Sequence, residues 1–584
     1  MYQKQSIPIP QNTKRIVLVK ANSATYVYYQ TDRIYDPSKK FNSPKRTSIG
    51  KVSEKDNSMM HPNEKYYQYF SETPYQDTDA DPERSCAIRF GTYVVLKKLV
   101  DELGLSDVLS TQFDDDNRRM IFDLAAYSII TENNAGQYYP MYAYEHALFT
   151  TNMKVYSDSF VSKWLRSVTA TQIISSIGEW NERRNHKDMV YISYDSTNKN
   201  SQAGDVEFVE YGAAKTDVGL PIINYSMAYD MTERLPLFYE SYPGSIPDVS
   251  QFGCMVDKAK AYGYKHIGFI LDRGYFSEKN IMHMDENGFA FVIMIKGRKK
   301  LVRSIVEEQL HSFEKKSSCY IEEYEVFGCT VERKLFESDS KERYIHLFHS
   351  ASGEAREMAR FNDDLRKMKK EMDKSVGKAT TIPKSYGEYF ELYYNDVEVR
   401  VKGKDPEIQK IFVAYEEKTD VVERHRNLCG YFAIATSERM TAKEAIILYK
   451  SRDMSEKLFR GDKSYLGDKS MRTHTTESTE TKIFVEFIAL IIRARFYNKI
   501  HDHNVKQTSK QNYMTVPAAI KELEKIMMIK LPDGRYHQSY SVTKTQKTIL
   551  SAFGMTESSI TEAVKKISDL LQEGTHGKTK ETNN

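Results

Sequence analysis

Between Leu448 and Lys463 the chain reads LYKSRDMSEKLFRGDK, which holds Tyr449, Arg452, Glu456 and Lys463 at steps of three, four and seven. At about 100° per residue, steps of three and four return to one face of a helix. A phenol, a guanidinium and a carboxylate therefore form one stripe. Lys463 joins it if the helix continues past Gly461. Two more carboxylates stand where strand-like runs stop: Asp195 closes MVYISYD and Asp272 closes HIGFILD. Sites in open sheets gather at the carboxyl ends of strands, so these acids converge if their strands are neighbours. Three acidic oxygen donors with no adjacent Cys or His set suit Mg²⁺ or Mn²⁺ better than zinc. Two such ions, roughly 3.5–4 Å apart, activate a water and stabilise a leaving oxygen in phosphoryl transfer. Crowded carboxylates repel one another, which favours filling by cations.

The elements that must position these residues follow from periodicity. MVYISYD, PIINYSMAYD and LPLFYESYPG read as three strands, the last two a hairpin joined by MTER. QFGCMVDKAKAYG reads as a helix, HIGFILD as a buried strand, SEKNIMHMDENG as a helix N-capped by Ser277, and FAFVIMIKG as another buried strand. The order β-β-β-α-β-α-β predicts a mixed α/β sheet opened by a meander. The helix bearing Tyr449 is expected to start near Thr441, and a long buried helix to run from about 480 to 503.

Around this core, residues 1–75 read as a small β-rich module, from RIVLVK and TYVYYQTD. Residues 76–185 read as helical. The core is expected over 186–300 and 429–510, split by a β-rich insertion over 301–428 that contains a charged helix near 354–375. Residues 511–584 are expected to give helices and a disordered tail, GTHGKTKETNN.

Bulk properties narrow the function classes. The formal net charge is only +3 over 584 residues, so nucleic-acid binding requires local basic patches. KGRKK at 296–300 and the stretch from Arg356 to Lys378 are candidates. Five scattered cysteines without a CxxC pair exclude a zinc ribbon and fit a reducing compartment. The start is not that of a signal peptide, and FIALIIRARF is too short to span a bilayer, so no membrane association is expected.

With these motifs in place, the chain resembles the DDE transposases of bacterial insertion sequences, and within them the cut-and-paste group with a Tyr-Arg-Glu-Lys signature. That signature is Tyr, two residues, Arg, three residues, Glu, six residues, Lys, which Tyr449, Arg452, Glu456 and Lys463 match in full. YISYDSTN (191–198) matches the first-aspartate motif and FILDRGYFS (269–277) the second. The resemblance implies a ribonuclease H-like core with an insertion, with Asp195, Asp272 and Glu456 as catalytic ligands of two divalent ions, Mg²⁺ or Mn²⁺. It implies that Tyr449, Arg452 and Lys463 hold DNA phosphates, with His474, Lys296 and Arg273 as candidate accessory residues. The implied partners are double-stranded DNA, as element inverted repeats and target, with residues 76–185 as the DNA-end-binding region, and a second copy of the chain in a homodimer. The implied activity is metal-dependent cleavage that frees a 3′-hydroxyl, then strand transfer, in a bacterial, nucleoid-associated cytoplasmic setting. The alternatives are a ribonuclease H-like nuclease that does not join strands and an inactive DNA-binding relative. Hairpin-forming members of the cut-and-paste group stack a flipped base on tryptophans of the insertion; here the only tryptophans, Trp164 and Trp180, precede Asp195, a departure that leaves hairpin formation open, and the insertion offers Tyr386, Tyr389, Phe390, Tyr393 and Tyr394 instead.

Overall fold

The computed structural model describes the chain outside residues 1–5, 12–14, 22–23, 37–39, 54–55, 71–83, 185–187, 202, 204–205, 215–218, 297–298, 400–406, 454–470, 507–513, 533 and 578–584. It divides into two compact units, Met1–Ser85 and Cys86–Asn584.

The first unit is an antiparallel sheet of β1 (Ile7–Pro8), β2 (Ile16–Ala21), β3 (Ala24–Asp36), β4 (Phe41–Val52) and β5 (Met59–Pro62), in the order β1-β5-β4-β3-β2. Its core is small: Val27, Ile49, Val52 and Met60.

The second unit begins with β6 (Ala87–Arg89) and then helices at Gly91–Glu102, Leu105–Leu109, Asp115–Thr131, Asp158–Ser167 and Ala170–Glu182. Side-chain caps set their starts. Asp114 accepts from the Asn117 amide, and Thr169 forms a reciprocal capping box with Gln172.

A nine-stranded mixed sheet follows. Its members are β7 (Val190–Asn200), β8 (Ile222–Asp230), β9 (Leu235–Pro243), β10 (Ile267–Leu271), β11 (Ala290–Met294), β12 (Tyr320–Ile321), β13 (Val326–Arg333) and β14 (Arg343–His349). After the separate hairpin of β15 (Phe390–Val399) and β16 (Glu407–Glu417), the chain returns as β17 (Tyr431–Thr436). The order is β12-β13-β14-β17-β11-β10-β7-β8-β9. β7, β10 and β11 run parallel, and β8 and β9 complete the antiparallel meander.

Three features differ from the sequence expectation. β7 does not stop at Asp195: its ladder with β8 continues to Asn200 opposite Ile222, because β8 is long enough to keep pairing it. Asp195 therefore sits within a strand. Next, β12–β14 come from the stretch read as insertion, yet they hydrogen-bond into the core sheet through β17. What departs from the sheet is the helix Ala351–Ser375, the β15–β16 hairpin and the helix Thr419–Asn427, around a separate core of Phe361, Leu365, Met372, Phe390, Phe412 and Val422. Composition could not separate the two, since strand-forming residues look alike on either side of Ser350. Finally, β18 (Met527–Lys530) pairs with β19 (Tyr536–Gln538) and with β6. Strands of three or four residues leave no periodic signal, so this closure of distant segments was not readable. The last helix, Glu557–Gly577, runs into the segment expected as tail, and residues 578–584 lie outside the described residues.

The long helix Thr476–Lys506 is buried along most of its length, including FIALII. Among the described residues no helix is long and apolar enough to cross a membrane. All five cysteines are free thiols.

His346 on β14 is fully buried, with its ring nitrogens 2.9 Å from Thr330 Oγ1 and 3.0 Å from Thr436 Oγ1. Burial lowers its pKa from 6.5 to about 4. The folded chain keeps this ring neutral while the unfolded chain takes up a proton, so stability falls as pH drops from about 6.5 towards 4. At pH 5 the loss is expected to be about 2 kcal/mol. His346→Gln should flatten that dependence in calorimetric melts between pH 7.5 and 5; an unchanged slope would place the titration elsewhere.

Candidate active site

The site is built on two neighbouring parallel strands. β10 pairs with β7 from Ile267 opposite Val190 to Leu271 opposite Tyr194, so the next residues in register are Asp272 and Asp195. Parallel neighbours run about 4.8 Å apart and residues at one level share a face, so the two carboxylates belong to one patch. Gly268 helps hold this register: a Cβ there would lie 2.5 Å from the Tyr191 ring that it faces. Asp195 is half-buried and its Oδ1 accepts from the Ser196 amide at 2.9 Å. Asp272 follows β10 directly, just before the short turn Arg273–Tyr275, and its side chain is 38% exposed.

The helix Ala442–Ser451 crosses this edge. Thr441 caps it through a reciprocal box with Glu444, close to where the sequence places its start. It delivers Tyr449, which is almost fully buried, and Arg452, which caps the C-terminal end. The Tyr449 hydroxyl donates to Asp272 Oδ1 at a long 3.4 Å and lies 3.8 Å from the Met294 sulfur. Arg452 Nη2 lies 3.9 Å from the same carboxylate oxygen, and its guanidinium stands 5.6 Å from the centre of the Tyr449 ring. The i, i+3 spacing thus delivers a hydroxyl and a cation to one carboxylate.

Tyr449, expected at a DNA phosphate, has its hydroxyl on the Asp272 carboxylate. Glu456 and Lys463 lie outside the described residues. Arg273 and Lys296 are exposed beyond the ends of β10 and β11. His474 is exposed and lines a different cavity, with Tyr127, Arg472, Lys482 and Glu486. Among the described residues no group of three His, Cys, Asp or Glu side chains could hold a metal ion.

One device behind the site left no signal in the sequence. Lys199, four residues beyond Asp195 on β7, pairs with Glu486 of the long helix at 2.8 Å, both almost fully buried. The Lys199 ammonium also stands 4.6 Å from the centre of the Tyr225 ring. Asn134 donates to the other Glu486 oxygen at 2.8 Å. The pair ties the extension of β7 to the helical layer. Only the partner's position identifies it, since Lys199 and Glu486 are remote in the chain.

Comparison with known proteins places this arrangement. A solved structure, the cryo-EM structure of the piggyBac transposase synaptic complex with hairpin DNA, aligns at 8% identity and a TM-score of 0.30 over 70% of this chain. The chain spans only 62% of the length of that one. No curated protein matches significantly. The family model described as the transposase DDE domain matches residues 195–492, just over half of the chain, starting at Asp195 itself. The chain therefore belongs to the transposase DDE domain family.

Proposed function

We propose that the chain is a DNA transposase of a bacterial insertion sequence, in the cut-and-paste group with the Tyr-Arg-Glu-Lys signature. It binds the element's inverted repeats as a homodimer, cleaves at the element end and joins the freed 3′-hydroxyl to target DNA. The observation that carries this reading is the register that sets Asp272 level with Asp195, with Tyr449 and Arg452 brought to Asp272. The strand order β9-β8-β7-β10-β11, a meander followed by two parallel strands, supports a ribonuclease H-like core. The excursion between β14 and β17 is its insertion.

The donor set fits divalent ions: two level carboxylates, one of them open to solvent, with only oxygen to offer. Asp195 and Asp272, with Glu456, would hold two Mg²⁺ or Mn²⁺ ions, which when bound supply Lewis-acid assistance to phosphoryl transfer. Tyr449 fixes the Asp272 carboxylate, and is a positioning residue. Arg452 and Lys463 offset phosphate charge at the cleaved end.

The deciding experiment is cleavage and strand transfer on labelled DNA carrying the element's own ends, with Mg²⁺ or Mn²⁺. End cleavage with joined product supports a transposase. Cleavage without joining would make it a nuclease, and binding without a nick an inactive relative.

Tyr449→Phe removes the hydrogen bond to Asp272, together with the hydroxyl's contact to the Met294 sulfur. Activity is expected to fall about tenfold, with half-saturation shifted to higher Mg²⁺, which corresponds to about 1.4 kcal/mol. An unchanged metal dependence would remove Tyr449 from that role.

A further inference from the structure

The charge of this chain is unevenly placed. Residues 1–75 hold twelve Lys and Arg against six Asp and Glu, whereas residues 76–185 hold eleven against sixteen. The helical segment expected to bind DNA is thus acidic, and the N-terminal sheet is basic. A surplus of six positive charges on so short a segment stands out in a chain whose total is +3.

Within the sheet half of that surplus sits on one device. β3 and β4 pair far beyond the small core, through Asp32 opposite Lys45, Arg33 opposite Pro44, Ile34 opposite Ser43, Tyr35 opposite Asn42 and Asp36 opposite Phe41. Among the described residues their distal ends have no third strand: β2 pairs β3 only up to Tyr29, and β5 pairs β4 only over Gly50–Val52. Side chains on both faces are exposed, including Ile34 at 56%, Tyr35 at 59% and Phe41 at 54%. A bare two-stranded ribbon with large apolar side chains in water is marginal by itself, which argues for a partner. Residues 32–46 carry five Lys and Arg against two Asp. Arg33, Lys40, Lys45 and Arg46 are exposed, and the ion pairs among the described residues include none of them.

We infer that the distal β3–β4 ribbon is a duplex-DNA contact that enters a groove, with its cations on the phosphates and Ile34, Tyr35 and Phe41 against the groove wall. A two-stranded ribbon fits the major groove, about 12 Å wide. Free cations on both strands match the phosphate rails on either side. A second copy of the chain is the competing occupant, but its ribbon would carry the same surplus charge and repel.

This inference rests on the transposase reading, and the test separates the two. The full-length chain is titrated against a fluorescein-labelled 40-base-pair duplex of random sequence between 50 and 200 mM salt. The variant Arg33→Gln/Lys45→Gln/Arg46→Gln is compared with Lys97→Gln/Lys163→Gln/Arg166→Gln in the helical segment. Each lost phosphate contact lowers the slope of log K against log salt by about 0.9. The ribbon variant should lose about two to three from the slope and bind at least tenfold more weakly at 100 mM salt; the helical variant should match wild type. If the triple substitution lowers the melting temperature, Lys45→Gln alone replaces it, with an expected slope change of about one. Equal slopes for wild type and ribbon variant, or a loss confined to the helical variant, would overturn the ribbon assignment and leave the transposase reading standing. A ribbon variant that binds normally but loses a dimer in light scattering would assign the ribbon to a second copy. Failure of wild type to bind duplex at any salt would overturn the transposase reading itself.

Discussion

Asp272→Asn is expected to abolish both end cleavage and strand transfer, lowering the rate by at least about 10²–10³-fold, the range seen when one charge-stabilising group is removed from a site. The substitution is nearly isosteric. An amide oxygen still accepts from the Tyr449 hydroxyl, now 3.4 Å away, so the helix Ala442–Ser451 keeps its seat. What disappears is the negative charge that would hold a cation and that now faces Arg452 at 3.9 Å. Because the Asp272 side chain is 38% exposed, solvent screens that ion pair and the fold should scarcely notice its loss. The measurement is single-turnover cleavage of labelled end DNA, with duplex binding and thermal melting as controls. Asp195→Asn should behave in the same way, since the register makes the two acids equivalent in level. Retention of full cleavage by either variant, with folding intact, would remove that residue from the ligand set.

Glu486→Gln carries the largest expected effect on stability. Glu486 receives Lys199 on one oxygen and Asn134 on the other, and both members of the ion pair are almost fully buried. One turn earlier on the same helix, burial lowers the pKa of Lys482 from 10.5 to about 8, partly offset by the Glu486 charge. Removing the carboxylate would take away the counter-charge that faces two buried ammonium groups, Lys199 and Lys482. Breaking a buried pair in this way costs about 3–5 kcal/mol. The sign of the pH dependence also follows. A lysine whose pKa is lowered in the fold destabilises it below that pKa, and the cost is relieved as pH rises from about 8 towards 10.5. Chemical denaturation of Glu486→Gln should therefore show its largest deficit at pH 7 and partial recovery by pH 9.5. The double variant Lys199→Met/Glu486→Gln should recover part of the loss, because it removes one charge together with its partner. A deficit below about 1 kcal/mol would mean that water reaches the pair. Some loss of cleavage is also expected, since the pair anchors β7 just beyond Asp195.

The sequence by itself determined the local elements and the spacing of the polar residues they carry. Alternation and 3.6-residue periodicity placed the strands from Val190 to Met294 and the helices between them, and the Thr441 capping signal placed the start of the helix that bears Tyr449. Spacing alone put Tyr449 and Arg452 on one face, because helical geometry is a property of consecutive residues. The tertiary structure decided what no local pattern encodes. It put β10 beside β7 in the register that levels the two aspartates, and extended β7 past Asp195 by pairing it with β8. It turned Tyr449 towards Asp272, merged β12–β14 into the core sheet, and paired Lys199 with Glu486 far away in the chain. Each of these depends on which remote segment lies alongside. Such pairings are set by the packing of whole faces against one another, where a strand of three residues or a single buried lysine contributes too little periodic signal to read in advance.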